Sequence, residues 1–410
     1  MKLRRMTAVF ASKFVAKICR MLGKQGVTWA GKIALMIDPA ILSELAGDVR
    51  EKIFVVCGTN GKTTTNNLLC STLEAQNKKV VCNHTGSNML NGCVAAFVLA
   101  AGWNGKLDAD YACIEVDEAS ALRIFPHFKP DYCVLTNLFR DQLDRYGEID
   151  ITMNLVKEAM KMAPDMKVIV NADDALSTYV TMESGNAYAT YGIGEKVFEE
   201  SINEIKEGRF CKKCGAKMNY HFYHFSQLGD YYCSNCDFKR PEIKYNASHI
   251  ETGKHLAFDV EGRHIEANYR GFYNIYNILA VYAAAREAGL EIPNFVEVLK
   301  KYNPENGRNE HFSIDGTEII LNLAKNPAGF NQNISAVMED TSEKDLIILI
   351  NDNDQDGTDI SWLWDVDFDR FQADNINSII VSGIRCQDMR LRLKYVDISS
   401  SLEPDVEKAI

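Results

Sequence analysis

The run Gly58-Thr59-Asn60-Gly61-Lys62-Thr63, with Thr64 next, carries residue types suited to holding a polyphosphate. It follows the apolar stretch KIFVVC and opens a helical stretch. Backbone N–H groups at such a turn, with the start of a helix behind them, cradle an anion. Lys62 at this spacing reaches β- and γ-phosphates, and the Thr63 hydroxyl suits a Mg²⁺ ligand. The strict G-x-x-x-x-G-K pattern is not met, because Val56 occupies its first glycine position. A second set of chemical groups ends the run YACIEVDEAS. Ligands of open α/β sheets bind beyond the carboxyl ends of strands, so Glu115 is expected to supply a second Mg²⁺ ligand. Asp117 and Glu118 are expected to be solvated at the strand end or to start a helix.

A third set is Cys211-x₂-Cys214 and Cys233-x₂-Cys236, two knuckles separated by 18 residues. This spacing suits one tetrahedral Zn²⁺ held by four thiolates, with Gly215 in the first knuckle turn. Four protein ligands leave no open position, so the zinc is expected to be structural. The chain holds 12 cysteines, and with no export signal this points to a reducing compartment, the cytoplasm. Cys57, Cys113 and Cys133 lie in apolar runs and are expected in the core.

These groups need a scaffold to position them. KIFVVC, KKVVCN, YACIEV, DYCVLTN and MKVIVNA are short apolar runs with helical stretches between them. That alternation predicts a parallel sheet with helices on both faces. Residues 200–245, rich in Cys, Tyr, His and Lys, interrupt it as an insertion. The sheet resumes through KHLAFDV and HIEANYRG, and the helix NIYNILAVYAAAREAGL follows, with Gly289 as its C-cap. After Asn303-Pro304 a second α/β unit begins, with TEIILNLA, DLIILIND and NSIIVSG as its strands. PDVEKAI opens a last helix at Pro404, which leaves room for a further strand or helix beyond Ile410. The expected class is α/β. Residues 1–50 form a helical segment, and 51–303 an ATP-binding domain with a zinc ribbon inserted at about 205–240. Residues 304–410 form a Rossmann-like C-terminal domain.

The net charge of −11 argues against a broad nucleic-acid surface. No apolar run reaches the roughly 18 residues that span a bilayer. At the start, Phe10, Phe14, Ile18 and Met21/Leu22 recur at helical spacing. Two readings stay open there: an amphipathic helix packed on the body, or one that touches a membrane surface. Further on, Asp352, Asp354, Asp356 and Asp359 follow a buried strand. A polar loop with Asx turns is the plain reading. The absence of a terminal glutamate argues against a calcium loop.

GTNGKTTT, Glu115, LTNLFRDQLDRYG at 135–147, NADD at 171–174, GFYNIYNILA at 271–280 and GRNE at 307–310 together resemble the Mur ligase superfamily, from residue 51 onward. Its members make an acyl phosphate from a carboxylate and ATP, and an amine then attacks it. The resemblance implies that Lys62 and Thr63 hold phosphates and Mg²⁺, and that Glu115 is a Mg²⁺ ligand. It implies Asn274 or Asn277 in the adenine region and Arg308 at the nucleotide from the hinge. Gln142 stands where the family has His, and in NLAKNP Asn322 and Lys325 replace Asp and His. The first change argues against a second Mg²⁺ site of the family's usual kind; the other two disfavour an amino-acid substrate and favour a smaller amine such as ammonia. With the four-cysteine insertion, the set is similar to the MurT-like ligase subunits of lipid II isoglutaminyl synthase, whose partner is a GatD-like glutaminase. The resemblance then implies a heterodimer that amidates the α-carboxyl of D-glutamate in lipid II. It also implies that Asp356 reaches the glutaminase to orient its catalytic His. The competing expectations are a Mur or folylpolyglutamate-type ligase that adds an amino acid, and a P-loop scaffold or switch protein.

Overall fold

The computed structural model describes residues 2–23, 26–141, 147–198, 207–253, 255–268, 270–302, 307–314, 316–353 and 357–410. Its centre is a nine-stranded sheet in the order β11-β10-β9-β6-β5-β4-β1-β3-β2. The first six strands are β1 (Lys52–Cys57), β2 (Val80–Cys82), β3 (Tyr111–Glu115), β4 (Tyr132–Leu135), β5 (Lys167–Asn171) and β6 (Tyr188–Ile193). β7 (Met218–Phe225) and β8 (Leu228–Cys233) form a separate hairpin, and the large sheet continues through β9 (Tyr245–Glu251), β10 (Leu256–Val260) and β11 (Arg263–Ala267). β1 lies between β3 and β4 and runs parallel to both. Its last five residues and all of β3 are buried. Such strands must be covered on both faces, which is why they read as continuous apolar runs.

One face is covered by helices Ile41–Ala46, Leu90–Ala100 and Ile149–Lys161, whose apolar residues join Val55, Ile114 and Val170. The other is covered by Lys62–Glu74 and Tyr273–Glu287, packed on Phe54, Val56 and Val134. Tyr273–Glu287 is buried around most of its circumference. Its apolar stretch lacks a polar stripe for that reason. Gly289, at φ 74, closes its end as the left-handed residue beyond the cap.

The C-terminal unit differs from the expected run of strands. β12 (Arg308–Ile314) and β13 (Thr317–Asn322) form an antiparallel hairpin, separate from the sheet of β14 (Lys344–Leu349), β15 (Ile376–Ser382) and β16 (Ser401–Leu402). A short apolar run does not distinguish a hairpin arm from a strand of the larger sheet, and TEIILNLA was such a run.

The N-terminal helix, Lys2–Met21, also corrects an expectation. Ala8, Val9, Ser12 and Ala16 are buried, while Phe10, Phe14, Ile18, Met21 and Leu22 are exposed. Small residues win the inner face because the neighbouring helices approach closely. A Cβ on Gly26, just before the helix Val27–Ile37, would lie 2.4 Å from Cys19 Cβ and 3.5 Å from Ala16 Cα. Ala16, Ala30 and Ala95 meet in one cluster. The apolar stripe therefore faces outward, touching the body where Phe10 meets Trp103 and Met6 lies near Gly105. Among the described residues no helix is long and apolar enough to cross a membrane.

Candidate functional site

The phosphate loop leaves the carboxyl end of β1 and starts the helix Lys62–Glu74. Gly58 (φ 120) and Gly61 (φ 84) take backbone conformations that side chains resist. Space forbids a side chain as well: a Cβ on Gly58 would meet Thr136 Oγ1 at 2.4 Å, and one on Gly61 would meet Asn277 Oδ1 at 2.2 Å. The loop is shaped by the segment after β4. Thr59 N donates to the Asn137 carbonyl (2.8 Å) and Asn60 N to Asn137 Oδ1 (2.9 Å). Behind it, a helix's first N–H groups have no partner inside the helix, which suits them to phosphate oxygens.

Lys62 is 6% exposed and donates to Thr59 O (3.1 Å), to Gly58 O and to both Glu118 oxygens (3.3 Å each). Burial pulls its ammonium pKa down. Glu118, Glu115, Asp117 and Asp141 more than offset this and hold it above the ordinary lysine range. Lys62 is therefore a fixed cation. Asp117 and Glu118, expected to be solvated at the strand end or to start a helix, are both 4% exposed; Asp117 Oδ1 accepts from Ala119 N (3.1 Å) and Ser120 N (3.2 Å) at the turn into the helix Ala121–Ile124. The reason is tertiary: β3 lies beside β1, so its C-terminal extension meets the phosphate loop that leaves β1, and Glu118 packs against Lys62 and not into solvent.

Glu115, at the end of β3, is held by Asn83, which accepts from its N–H (2.8 Å) and donates to its carbonyl (2.8 Å). Its Oε1 accepts from Asn88 Nδ2 (2.8 Å). Its Oε2 is buried with no hydrogen-bond partner among the described residues. A Cβ on Gly86 would lie 3.5 Å from that oxygen and 3.4 Å from Thr63 Oγ1, so both oxygens face the same small space. A buried carboxylate oxygen left unpaired beside a hydroxyl is the donor set a Mg²⁺ ion takes.

Asn274 and Asn277 line the same cavity, of about 340 Å³. Asn277 Oδ1 accepts from Thr65 Oγ1 (3.3 Å), its amide donates to Asn274 Oδ1 (3.0 Å), and Asn274 donates to Arg270 O (2.7 Å). The aromatic wall is Tyr191, Phe225, Tyr273 and Tyr276. Phe225 and Leu228 come from the tip of the β7–β8 hairpin, which belongs to the inserted ribbon. Between them Gln227, fully buried, donates to Leu138 O and to Asp174 Oδ1 (2.8 Å each). Asp174, the last residue of NADD, also caps the helix Ala175–Ser184. The insertion thus forms part of the cavity wall, which its sequence did not reveal.

The four cysteines of the ribbon converge. Cys211 and Cys236 Sγ lie 3.6 Å apart, Cys214 and Cys233 3.5 Å apart, and all four within 4.8 Å of one another. Four sulfurs at 2.3 Å from a tetrahedral Zn²⁺ stand roughly 3.8 Å from each other, so the donor set fits zinc. The backbone N–H of Ala216 and the Asn235 side chain hold the Cys214 thiol down to about 6. Cys57, Cys113 and Cys133 are buried, with thiols pushed up by desolvation.

The far side of the cavity belongs to the C-terminal unit, through Asn322, Lys325, Gly329, Gln332 and Asn333. Asn326, 1% exposed, is the bridge. Its amide donates to Asn60 Oδ1 (3.0 Å) and Asp141 Oδ1 (3.4 Å), while its carbonyl oxygen accepts from Gly329 N (2.8 Å) and caps the helix Pro327–Glu339. Lys325 pairs with Asp141 at 3.0 Å. Gln332 Nε2 is buried and has no hydrogen-bond partner among the described residues. Neither Asn326 nor Gln332 was singled out from sequence, although Asn326 sits in the cap position of an Asn-Pro pair. Asp356, Asp354 and the Arg308 side chain lie outside the described residues. Of the acidic loop, Asp352 accepts from Arg385 Nε (2.8 Å) and Asp359 from Ser361 N (2.8 Å).

A phosphate loop at the end of a mostly parallel sheet, antiparallel only through β9, β10 and β11, and facing a second α/β unit across one cavity, marks the class as a two-part P-loop nucleotide-binding protein. The Mur ligase middle domain matches residues 56–285, and the MurT ligase C-terminal family matches 323–410. The lipid II isoglutaminyl synthase (glutamine-hydrolyzing) subunit MurT of Staphylococcus aureus strain COL is 36% identical over 99% of this chain and 92% of that protein. Its Streptococcus pneumoniae counterpart is 34% identical over 96% and 87%. A pseudomurein peptide ligase type C from Methanothermus fervidus shares the fold, with TM-score 0.69 at 22% identity, over 89% of this chain and 70% of that one. MurF from Acinetobacter baumannii does so with TM-score 0.66 at 14% identity, over 92% and 72%. The chain belongs to the MurT family of Mur ligases, ATP-dependent carbon–nitrogen ligases that use ATP and Mg²⁺.

Proposed function

We propose that this chain is the ligase subunit of a glutamine-dependent pair that amidates the α-carboxyl of D-glutamate in the lipid II stem peptide. A GatD-like glutaminase supplies the ammonia. The observation that carries this is the shared cavity, with Lys62, Thr63 and Glu115 on one wall and Lys325 and Gln332 on the other. In the reaction, a carboxylate oxygen of the substrate attacks the γ-phosphorus of ATP and ADP leaves. Ammonia then attacks the carbonyl carbon of the acyl phosphate, phosphate departs, and the nitrogen loses a proton. D-Isoglutamine remains.

Thr63 Oγ1 and Glu115 Oε2 are the oxygens that would hold Mg²⁺, whose charge, when bound, neutralises phosphoryl oxygens. Lys62 exchanges Glu118 for a phosphate oxygen. Gly58–Thr64 supply the loop, and Asn274, Asn277 and Arg308 meet the rest of the nucleotide. Asn326, bonded to Asn60 across the cavity, brings the two parts together and keeps water from the acyl phosphate. Lys325 is held by Asp141, which counts against a site for an amino-acid carboxylate and suits a small amine. Cys211, Cys214, Cys233 and Cys236 hold a structural zinc. The working parts are 51–303 and 304–410, and the protein acts in the cytoplasm, at the membrane face where its substrate lies. Asp356 serves the partner by orienting its catalytic His.

The test is glutamine-driven amidation of lipid II with the partner present, read by mass spectrometry as replacement of OH by NH₂. Lys62→Ala should abolish it. Asp356→Asn should abolish glutamine-driven amidation yet retain amidation with free ammonium. Incorporation of a labelled amino acid, or full activity of the Lys62 variant, would refute the assignment.

A further inference from the structure

The outward face of the N-terminal helix Lys2–Met21 is the wrong way round for a helix in water. At 100° per residue, Leu3, Met6, Phe10, Phe14, Ile18 and Met21 fall on one side. All six are 40% exposed or more, and Leu3 and Met21 nearly 80%. The opposite side, Ala8, Val9, Ser12 and Ala16, carries the packing. Six large apolar side chains on one stripe exceed the scattered exposure normal for a surface. Trp103, 62% exposed, extends the stripe: its ring lies 5.7 Å from Phe10 and under the Lys13 ammonium at 5.2 Å. The adjacent helix, Val27–Ile37, exposes Trp29, Lys32 and Met36.

Charge identifies the occupant. Residues 1–37 contain eight Lys and Arg side chains and no Asp or Glu, in a chain whose net charge is −11. The remaining residues therefore carry −11 − 8 = −19. Lys13 and Arg20 line one flank of the apolar stripe on the helical wheel, and Lys17 falls at that edge between Met6 and Phe10. A second copy of this chain would bring the same cations against themselves. An anionic surface that accepts Phe and Trp at its apolar boundary and Lys and Arg at its headgroups satisfies both halves of the face.

We propose that the helix Lys2–Met21 docks this protein on an anionic lipid bilayer, its Leu3–Met21 stripe in the acyl–headgroup boundary and its Lys13, Lys17 and Arg20 flank among the headgroups. The stripe is joined to the reaction cavity through the helix Leu90–Ala100. That helix packs on the N-terminal pair, and the loop before it, with Thr85, Gly86 and Asn88, lines the cavity. Docking thus sets the cavity's distance from the membrane plane. The inference stands on the helix and is independent of the reaction proposed above.

The test is flotation of the full chain with vesicles of phosphatidylcholine alone and of phosphatidylcholine with 30% phosphatidylglycerol. Binding should be at least roughly tenfold stronger to the anionic vesicles and should weaken as salt rises. Phe10→Ser with Phe14→Ser should reduce binding by about tenfold or more, and Lys13→Glu with Lys17→Glu should remove the preference for anionic lipid. Both double variants should stay folded with at most a small fall in thermal midpoint, because among the described residues the substituted side chains touch the body only at Trp103. Equal binding by the Phe10/Phe14 variant, no binding by the parent at low salt, or a dimer in sedimentation that this variant dissolves would overturn the proposal. Loss of amidation with vesicle binding intact would count against the reaction alone.

Discussion

Glu118 holds Lys62 in place, and its replacement should reveal that. The two side chains are 5% and 6% exposed and their charged atoms lie 3.3 Å apart. At an effective dielectric of about 20 their attraction is roughly 5 kcal/mol. Glu118→Gln keeps the shape and an acceptor oxygen but removes the charge. Lys62 then rests on Gly58 O, Thr59 O and the more distant Glu115, Asp117 and Asp141. The expected loss is about 2–3 kcal/mol, below the roughly 3–5 kcal/mol of an outright broken buried pair. Thermal unfolding should show a drop of roughly 5–10 °C without nucleotide. With saturating Mg·ATP the gap should narrow, since a phosphate oxygen replaces the missing carboxylate. Isothermal titration should find ATP bound severalfold more tightly, because Lys62 no longer has to leave a partner. A parental midpoint together with weaker ATP binding would refute this reasoning and make Glu118 a direct ligand of nucleotide or metal.

Three further outcomes follow from the same geometry. Stripping zinc, or Cys214→Ser, should raise the Kd for ATP by about tenfold, or about 1.4 kcal/mol, through displacement of Phe225 and Leu228 from the cavity wall; equilibrium binding before and after chelation checks this. Asn326→Ala removes a helix cap worth about 1 kcal/mol and the bridge to Asn60. Steady-state kinetics should show kcat/KM down by roughly 10- to 100-fold with the Kd for ATP little changed. Glu287 is desolvated, yet Lys167, Lys244 and Tyr245 hold its carboxyl down at about 2. A folded pKa below the unfolded value gives stability that is present above about pH 4.3 and is lost as pH falls toward 2. Glu287→Gln should therefore cost about 1–2 kcal/mol in urea unfolding at pH 7, discounted because the Lys244 side chain is 56% exposed, and almost nothing near pH 2.

Local chemistry carried much of the architecture. KIFVVC followed by GTNGKT dictates a strand, a glycine turn and a helix, since buried parallel strands read as apolar runs and only glycine tolerates positive φ at so close an approach. Both CxxC knuckles were legible for the same reason: each is a local turn. What failed to show in sequence depends on contacts between distant segments. TEIILNLA looked like a strand of the C-terminal sheet and became one arm of a hairpin. Asp117 met the helix-start expectation, whereas Glu118 became buried against Lys62, because the place of β3 beside β1 decides what lies above its end.

By itself, the sequence determined the α/β class, the phosphate loop, the cysteine pairs and the apolar stripe of the first helix. Each is written within a few residues, at a fixed period or spacing. Only the tertiary structure decided which way that stripe faces, that the ribbon's tip at Phe225 and Leu228 walls the cavity, and that Asn326 reaches Asn60 from 266 residues away. Those outcomes are set by close packing of surfaces far apart in the chain, where the small residues at Ala16, Gly26 and Ala30 let one side of a helix in and leave the other side out.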